Sequence, residues 1–220
     1  MLLAQVMTQT PSVRSFKPDP VPDAVIERAL ELARFAPSGG NRQGWRVIVV
    51  QDPELRRRGA EIYRPLWDTY EERGRKAATG DPRRLAQLAR SRAMALSLAQ
   101  VPVHLWICVE LGALHIADRD LDRPSIVGGA SIYPFVQNLI LALSDQGVGS
   151  SLTTLAIPAE PEIKSLLRIP AGHALAAFLA VGWPESPGPR RLRRRAVAEF
   201  ATRDYFDGPP LVGGGESQGS

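Results

Sequence analysis

Residues 131–146, SIYPFVQNLILALSDQ, constrain this chain more than any other stretch. Ser131 reads as the cap of a helix running to about Gln146, with Pro134 in the first turn, where proline is tolerated. Ile132, Phe135, Val136, Leu139, Ile140, Leu141, Ala142 and Leu143 leave nearly every side of that helix apolar. Such a helix has to be covered all round, by the core of a domain or by a second subunit. Gln137 and Asn138 are polar exceptions that need partners.

With 220 residues the chain has room for the covering layers. Residues 12–22 hold three prolines and cannot form a long helix. From Asp23, the residues Val25, Ile26, Ala29, Leu30 and Ala33 follow a helical period that Pro37 ends. The β-branched run 45–50, WRVIVV, reads as a buried strand. A long helical region starts at Asp52-Pro53, breaks near Gly80-Asp81-Pro82 and ends by Pro102. Residues 103–109 read as a second buried strand, 152–155 as a short strand, 158–167 as a short helix and 173–181 as another strand. Gly147-Val148-Gly149 lacks a third glycine and a preceding strand, so it is no dinucleotide loop. Helices and strands interspersed in this way, with no phosphate-binding glycine turn after a strand, give an α+β sandwich. Residues 1–207 are expected to form one domain with an extended C-terminal arm, and the Gly/Ser-rich residues 208–220 a disordered tail.

Charge and cysteine usage narrow the function classes. The net charge is +4, but residues 187–195 carry five arginines and no acid, and without them the balance is −1. This is one compact basic cluster, not the spread face of a nucleic-acid protein. It fits a phosphate on a small ligand, an acidic partner or a solvated tail. The single cysteine, Cys108, lies in an apolar run, where a buried thiol is the common case, and argues for a cytoplasmic setting. No apolar run approaches the roughly 20 residues of a membrane span. The three histidines are scattered without metal-ligand spacing. Asp118, Asp120 and Asp122 interleave with Arg119 and Arg123 and read as a solvated charged loop. No nucleophile has a base beside it, so an enzyme of this sequence would rely on a bound cofactor.

Residues 37–45, PSGGNRQGW, are the strongest candidate for holding one. Adjacent glycines let backbone N–H groups approach a ligand, and Asn41 and Gln43 each carry donor and acceptor atoms. Taken alone, the loop reads equally well as a plain glycine turn. Tyr63, Trp67 and Tyr70 form a stripe at helical spacing, more often core packing than a substrate wall.

Seven segments in order decide between these readings: SVRSFKPDPVPD (12–23), APSGGNRQGW (36–45), GGASIYPFVQNLILAL (128–143), GVGSSLTT (147–154), LLRIPAGH (166–173), VGWP (181–184) and the terminal arginine cluster. Their order and spacing resemble the FMN-dependent nitroreductase family over nearly the whole chain. The resemblance implies a three-layer α/β/α sandwich in an intertwined homodimer, with two FMN molecules at the interface. It implies NADPH or NADH as a transient reductant, and a small-molecule acceptor such as a nitroaromatic or quinone in the same pocket. An FMN oxidase or dehydrogenase of a biosynthetic pathway, or a flavin-free dimeric binding protein, are the alternatives.

Carried over by position, Ser12 and Arg14 fall where the family holds the FMN phosphate and ribityl chain. Pro37, Ser38, Gly39, Asn41 and Gln43 would face the flavin held mainly by the partner chain. Ser131 matches a polar position that also reaches it, and Thr153 and Thr154 match the segment facing the reactive flavin edge. Arg194, with Arg191 and Arg193 as rivals, matches the terminal phosphate arginine. A lid is expected from residues 60–80, with Tyr63, Trp67 and Tyr70 toward substrate. Hydride transfer needs no side-chain acid or base, so no catalytic residue is assigned. Two positions depart from the family pattern. Thr10-Pro11 stand where a basic residue is usual, a loss that would weaken FMN binding about tenfold unless the tail arginines compensate. Gly44 replaces the usual proline before the tryptophan and is expected to loosen the loop.

Overall fold

A computed structural model describes residues 2–188 and 191–212. Its centre is an antiparallel sheet of four strands, β1 (Trp45–Val50), β2 (Val103–Glu110), β3 (Gly149–Thr153) and β4 (His173–Gly182), in the order β1-β2-β4-β3. Trp45 lies opposite Val109, Val103 opposite Val181 and Thr153 opposite Phe178. Six helices surround the sheet: α1 (Leu3–Gln9), α2 (Asp23–Ala33), α3 (Pro53–Ala77), α4 (Pro82–Leu96), α5 (Tyr133–Asp145) and α6 (Glu160–Leu167).

The alternation of side chains along β2 divides the core in two. Val103, Leu105, Ile107 and Val109 pack with α2 and α5, while Trp106 and Cys108 pack with α3, α4 and α6. The sheet is thus covered on both faces, the expected three layers, and this is why its central strands read as unbroken apolar runs. Burial accounts for the two reactive-looking groups on β2. The Cys108 thiol is pushed up to about 11, and His104 is held down to about 4, so both stay neutral near pH 7.

Helix α5 buries Phe135, Val136, Leu139, Ala142 and Leu143, and Phe135 stacks on Trp45 with ring centroids 4.8 Å apart. Its remaining side is not closed. Asn138, Leu141 and Asp145 border a groove shared with Leu3, Val6 and Leu32, and Tyr133 is exposed.

The structure corrects several expectations. Ser131 does not cap α5, which starts two residues later with no side-chain cap. The expected short strand at 152–155 begins at Gly149, because the N-terminal segment crosses there. Val13 N–H donates to Ser150 O at 2.9 Å, and a Cβ on Gly149 would lie 2.7 Å from the Val13 side chain. Helix α1 was not among the expected elements. Asp118 is not solvated: it is buried, and its carboxylate accepts from Ile126 N–H (2.9 Å), Ser125 Oγ (2.7 Å) and Arg123 Nη1 (2.7 Å). These donors hold its pKa far below the usual carboxylate range. Of the expected tail, residues 208–212 fold back on the arm, with Leu211 N–H donating to Ala201 O at 2.8 Å, and residues 213–220 lie outside the described residues. Among the described residues no helix is long and apolar enough to cross a membrane.

Gly44 does not loosen its loop. A Cβ there would sit 2.5 Å from the Ala113 Cβ, so glycine is what lets the turn after β2 close against β1. Gly44→Ala is expected to lower stability by about 1–3 kcal/mol by overpacking. At Gly172 an added Cβ meets nothing within 4 Å, so Gly172→Ala serves as the neutral control. Thermal unfolding of the two variants checks the difference.

Candidate functional site

Prolines 18 and 20 favour an extended N-terminal segment, and backbone bonds pin it beside β3 and β4. Lys17 N–H donates to Trp183 O at 2.8 Å, in addition to the Val13–Ser150 bond. Ser12 and Arg14 are thereby held in the wall of a cavity of about 490 Å³. Its other walls are Pro11, Arg90 and Ala93 of α4, and residues 186–188 of the C-terminal arm. Arg14 is half-buried, and its Nη1 donates to Ser12 O at 3.3 Å. Burial first, and then Arg90, lower its pKa, partly offset by Tyr70. Among the described residues neither Arg14 nor Arg90 pairs with a carboxylate. Glu185, from the adjoining arm, is engaged by Ser15 Oγ. A half-buried guanidinium without an acid, beside a second one, suits a multiply charged anion.

Thr153 ends β3. Its Oγ1 accepts from Leu155 N–H at 3.0 Å, and the Tyr63 hydroxyl lies close by. Thr154 follows on the surface. Tyr63 and Trp67 are 2% and 3% exposed, in the core between α3 and the Phe178 side of the sheet. They are therefore not an open wall toward substrate, because the period that suggested one turns them onto the sheet. Of the three aromatic residues only Tyr70, half exposed and 5.4 Å from the Trp67 ring, presents a face to solvent.

The glycine loop forms a second group. Gly40, Asn41 and Gln43 all have positive φ, at 60°, 53° and 51°. Two of them are not glycine, which stores of order 1 kcal/mol or more of backbone strain at each. Local bonds hold the shape: Gln43 N–H donates to Ser38 Oγ (3.0 Å) and Gln43 Nε2 to Asn41 Oδ1 (3.1 Å). Gly39 N–H donates to Ser131 Oγ at 2.9 Å, so Ser131 ties the loop to the start of α5. Pro37, Gly39, Asn41 and Gln43 are exposed. Among the described residues, no hydrogen bond joins this group to the Ser12–Arg14 group, and no residue of the loop lines the Ser12–Arg14 cavity.

Arg191, Arg193 and Arg194 are exposed and do not line the Ser12–Arg14 cavity, and Arg194 Nη1 donates to Arg193 O. The arginine expected to grip a phosphate is thus not assembled with Ser12 in one chain. Arg90 is there instead. Sequence reasoning missed it because it lies among the other arginines of a polar helix, and only the packing of α4 against the N-terminal segment singles it out.

The chain and its fold have matches among known proteins. A sequence model of the Nitroreductase family matches residues 7–183. An iodotyrosine deiodinase from Thermotoga neapolitana is 26% identical over 207 residues, covering 91% of this chain and 98% of the relative. A 5,6-dimethylbenzimidazole synthase from Rhodospirillum rubrum is 28% identical over 185 residues, covering 80% and 79%. The crystal structure of oxidized iodotyrosine deiodinase bound to FMN and 3-iodo-L-tyrosine superposes with a TM-score of 0.69 at 25% identity, covering 92% of this chain and 100% of that one.

Ser131→Ala removes the acceptor that holds the Gly39 amide. It is expected to leave the fold intact, cost about 1 kcal/mol and speed hydrogen exchange at Gly39 several-fold. Amide exchange followed by NMR checks this; unchanged exchange at Gly39 would show that the tether does not hold the loop.

Proposed function

Because this chain belongs to the nitroreductase family of flavoprotein oxidoreductases, we propose that it is an FMN-dependent homodimer that takes electrons from NADPH or NADH and passes them to a nitroaromatic, a quinone or another conjugated acceptor. The observation that carries this reading is the division of the candidate site into two open groups within one chain. Ser12, Arg14 and Thr153 form one group, and the strained loop with Ser131 forms the other. A site shared between two copies would bring them together.

The residues present fit FMN. Its phosphate needs cations free of acids, and Arg14 and Arg90 are such cations at one cavity. Its ring needs a flat surface with donors and acceptors, which Pro37, Ser38, Gly39, Asn41 and Gln43 of a second copy offer. When bound, FMN supplies a ring that accepts and gives up a hydride equivalent. The chain's own residues then have separate tasks. Ser12 and Arg14 hold the phosphate and ribityl chain. The backbone of Thr153 and Thr154 would face the reactive edge, where a preorganised N–H would stabilise developing charge. Tyr70 is the one aromatic residue of the α3 stripe free to meet an acceptor. Water or a pocket hydroxyl would supply the protons.

Exposed apolar residues support the second copy. Phe200, Tyr205 and Phe206 of the arm are 61%, 75% and 102% exposed, and Leu2, Leu3, Met7 and Phe35 are also exposed. An arm of this composition has no core of its own and suits a neighbouring subunit. A second reading keeps FMN and reverses the chemistry, with oxygen regenerating the flavin in a biosynthetic oxidase; the similarity to the dimethylbenzimidazole synthase favours it.

Purified protein is expected to be yellow, to release FMN on denaturation and to run as a dimer. Anaerobic NADPH or NADH is expected to bleach its flavin absorbance. If neither bleaches it, the oxidase reading replaces the reductase; a colourless protein that takes up no FMN overturns both.

A further inference from the structure

We propose that Arg90 of α4 supplies the second cation of the FMN phosphate site, at the cavity wall where Pro11 carries no charge. This rests on the reading that the protein binds FMN.

The N-terminal segment provides no replacement at that position. Pro11 carries neither charge nor N–H. Thr10 is turned away and occupied: its Oγ1 donates to Val6 O at 2.7 Å and meets Ser144 Oγ at 2.8 Å. The arginine cluster does not fill the gap either, since its described members stay outside the cavity. Arg90 does line it, across from Pro11 and Ser12. Ala93, one turn further along the same face of α4, is small and leaves space beside the guanidinium.

Two other arginines of this helix are committed elsewhere. Arg84 pairs with Asp81, and Arg92 holds the buried Glu71 at 2.5 Å. Arg90 has no acid within ion-pair distance among the described residues, and neither has Arg14 across the cavity. The charge of Arg90 disfavours that of half-buried Arg14. Two cations repelling each other across one cavity are an unfavourable arrangement that a dianion between them relieves. At about 490 Å³ the cavity has room for a phosphate and its ribityl chain. A cation from a helix far away in sequence thus stands at the cavity beside Pro11 and Ser12.

Titration of FMN-free protein by quenching of flavin fluorescence tests the assignment. Arg90→Gln is expected to raise the FMN dissociation constant about tenfold or more, and Arg90→Lys to recover part of the loss. Riboflavin, which has no phosphate, is expected to bind Arg90→Gln as it binds the unaltered protein. The affinity for FMN is also expected to become less salt-dependent in Arg90→Gln. Because Arg90 is exposed, both variants are expected to keep the unaltered melting temperature. An Arg90→Gln dissociation constant within about twofold of the original, or an equal loss for riboflavin, overturns the role of Arg90 while leaving FMN binding in place. Failure of the unaltered protein to bind FMN overturns both.

Discussion

Helix α5 has more apolar surface than one sheet can cover. Phe135, Leu139 and Leu143 are buried in the core that α5 and α2 build on the sheet. The side bordered by Asn138 and Leu141 stays open, and α1 and α2 line the groove there without filling it. Most of the molecule follows from that surplus. The sheet is sealed on its other face by α3, α4 and α6, so no ligand enters through the sheet. The candidate binding groups are pushed to its rim, where the N-terminal segment crosses β3 and where the glycine loop leaves α2.

At that rim the chain keeps features that stability alone would not select. Two residues that are not glycine have positive φ in the loop, and two guanidiniums share a cavity without a carboxylate. Each costs free energy in the isolated chain, and each becomes useful when a flat, phosphate-bearing cofactor is present. The supports behind them are conventional: the Ser131 hydroxyl under Gly39, and the Tyr63 hydroxyl beside Thr153. On the proposed reading, a second copy supplies the loop that faces the ring, and the exposed aromatic residues of the arm clasp that copy.

Much of the fold was legible because burial imposes a period. The helix from Asp23, the break at Gly80, the strands at 45–50 and 103–109 and the apolar α5 all follow from local pattern, and Gly80 indeed sits at φ 81°. What was not legible depends on contacts between distant segments. The start of β3 is set by Val13 passing over Gly149, and the need for glycine at position 44 is set by Ala113. Asp118 looked solvated because its donors, Ser125 and Ile126, are recruited by a loop closure with no periodic signal. Tyr63 and Trp67 showed the right period for a wall, but a period does not say whether a face meets a sheet or a substrate. The glycine loop was singled out by its own residues and Ser12–Arg14 by ordered resemblance, whereas Arg90 joins the candidate cavity only through the packing of α4.

The central claim is a flavin site divided between two copies, and subunit mixing tests it most directly. One chain carries Arg14→Gln, which removes the phosphate side, and the other carries Gly40→Val, which forces a β-branched residue to a positive φ in the loop. Neither altered homodimer would retain FMN. In a mixed dimer one site carries both substitutions and the other carries none. A shared site predicts that the mixed dimer recovers about one FMN per dimer. Mixed dimers that remain as colourless as the two parents would contradict it.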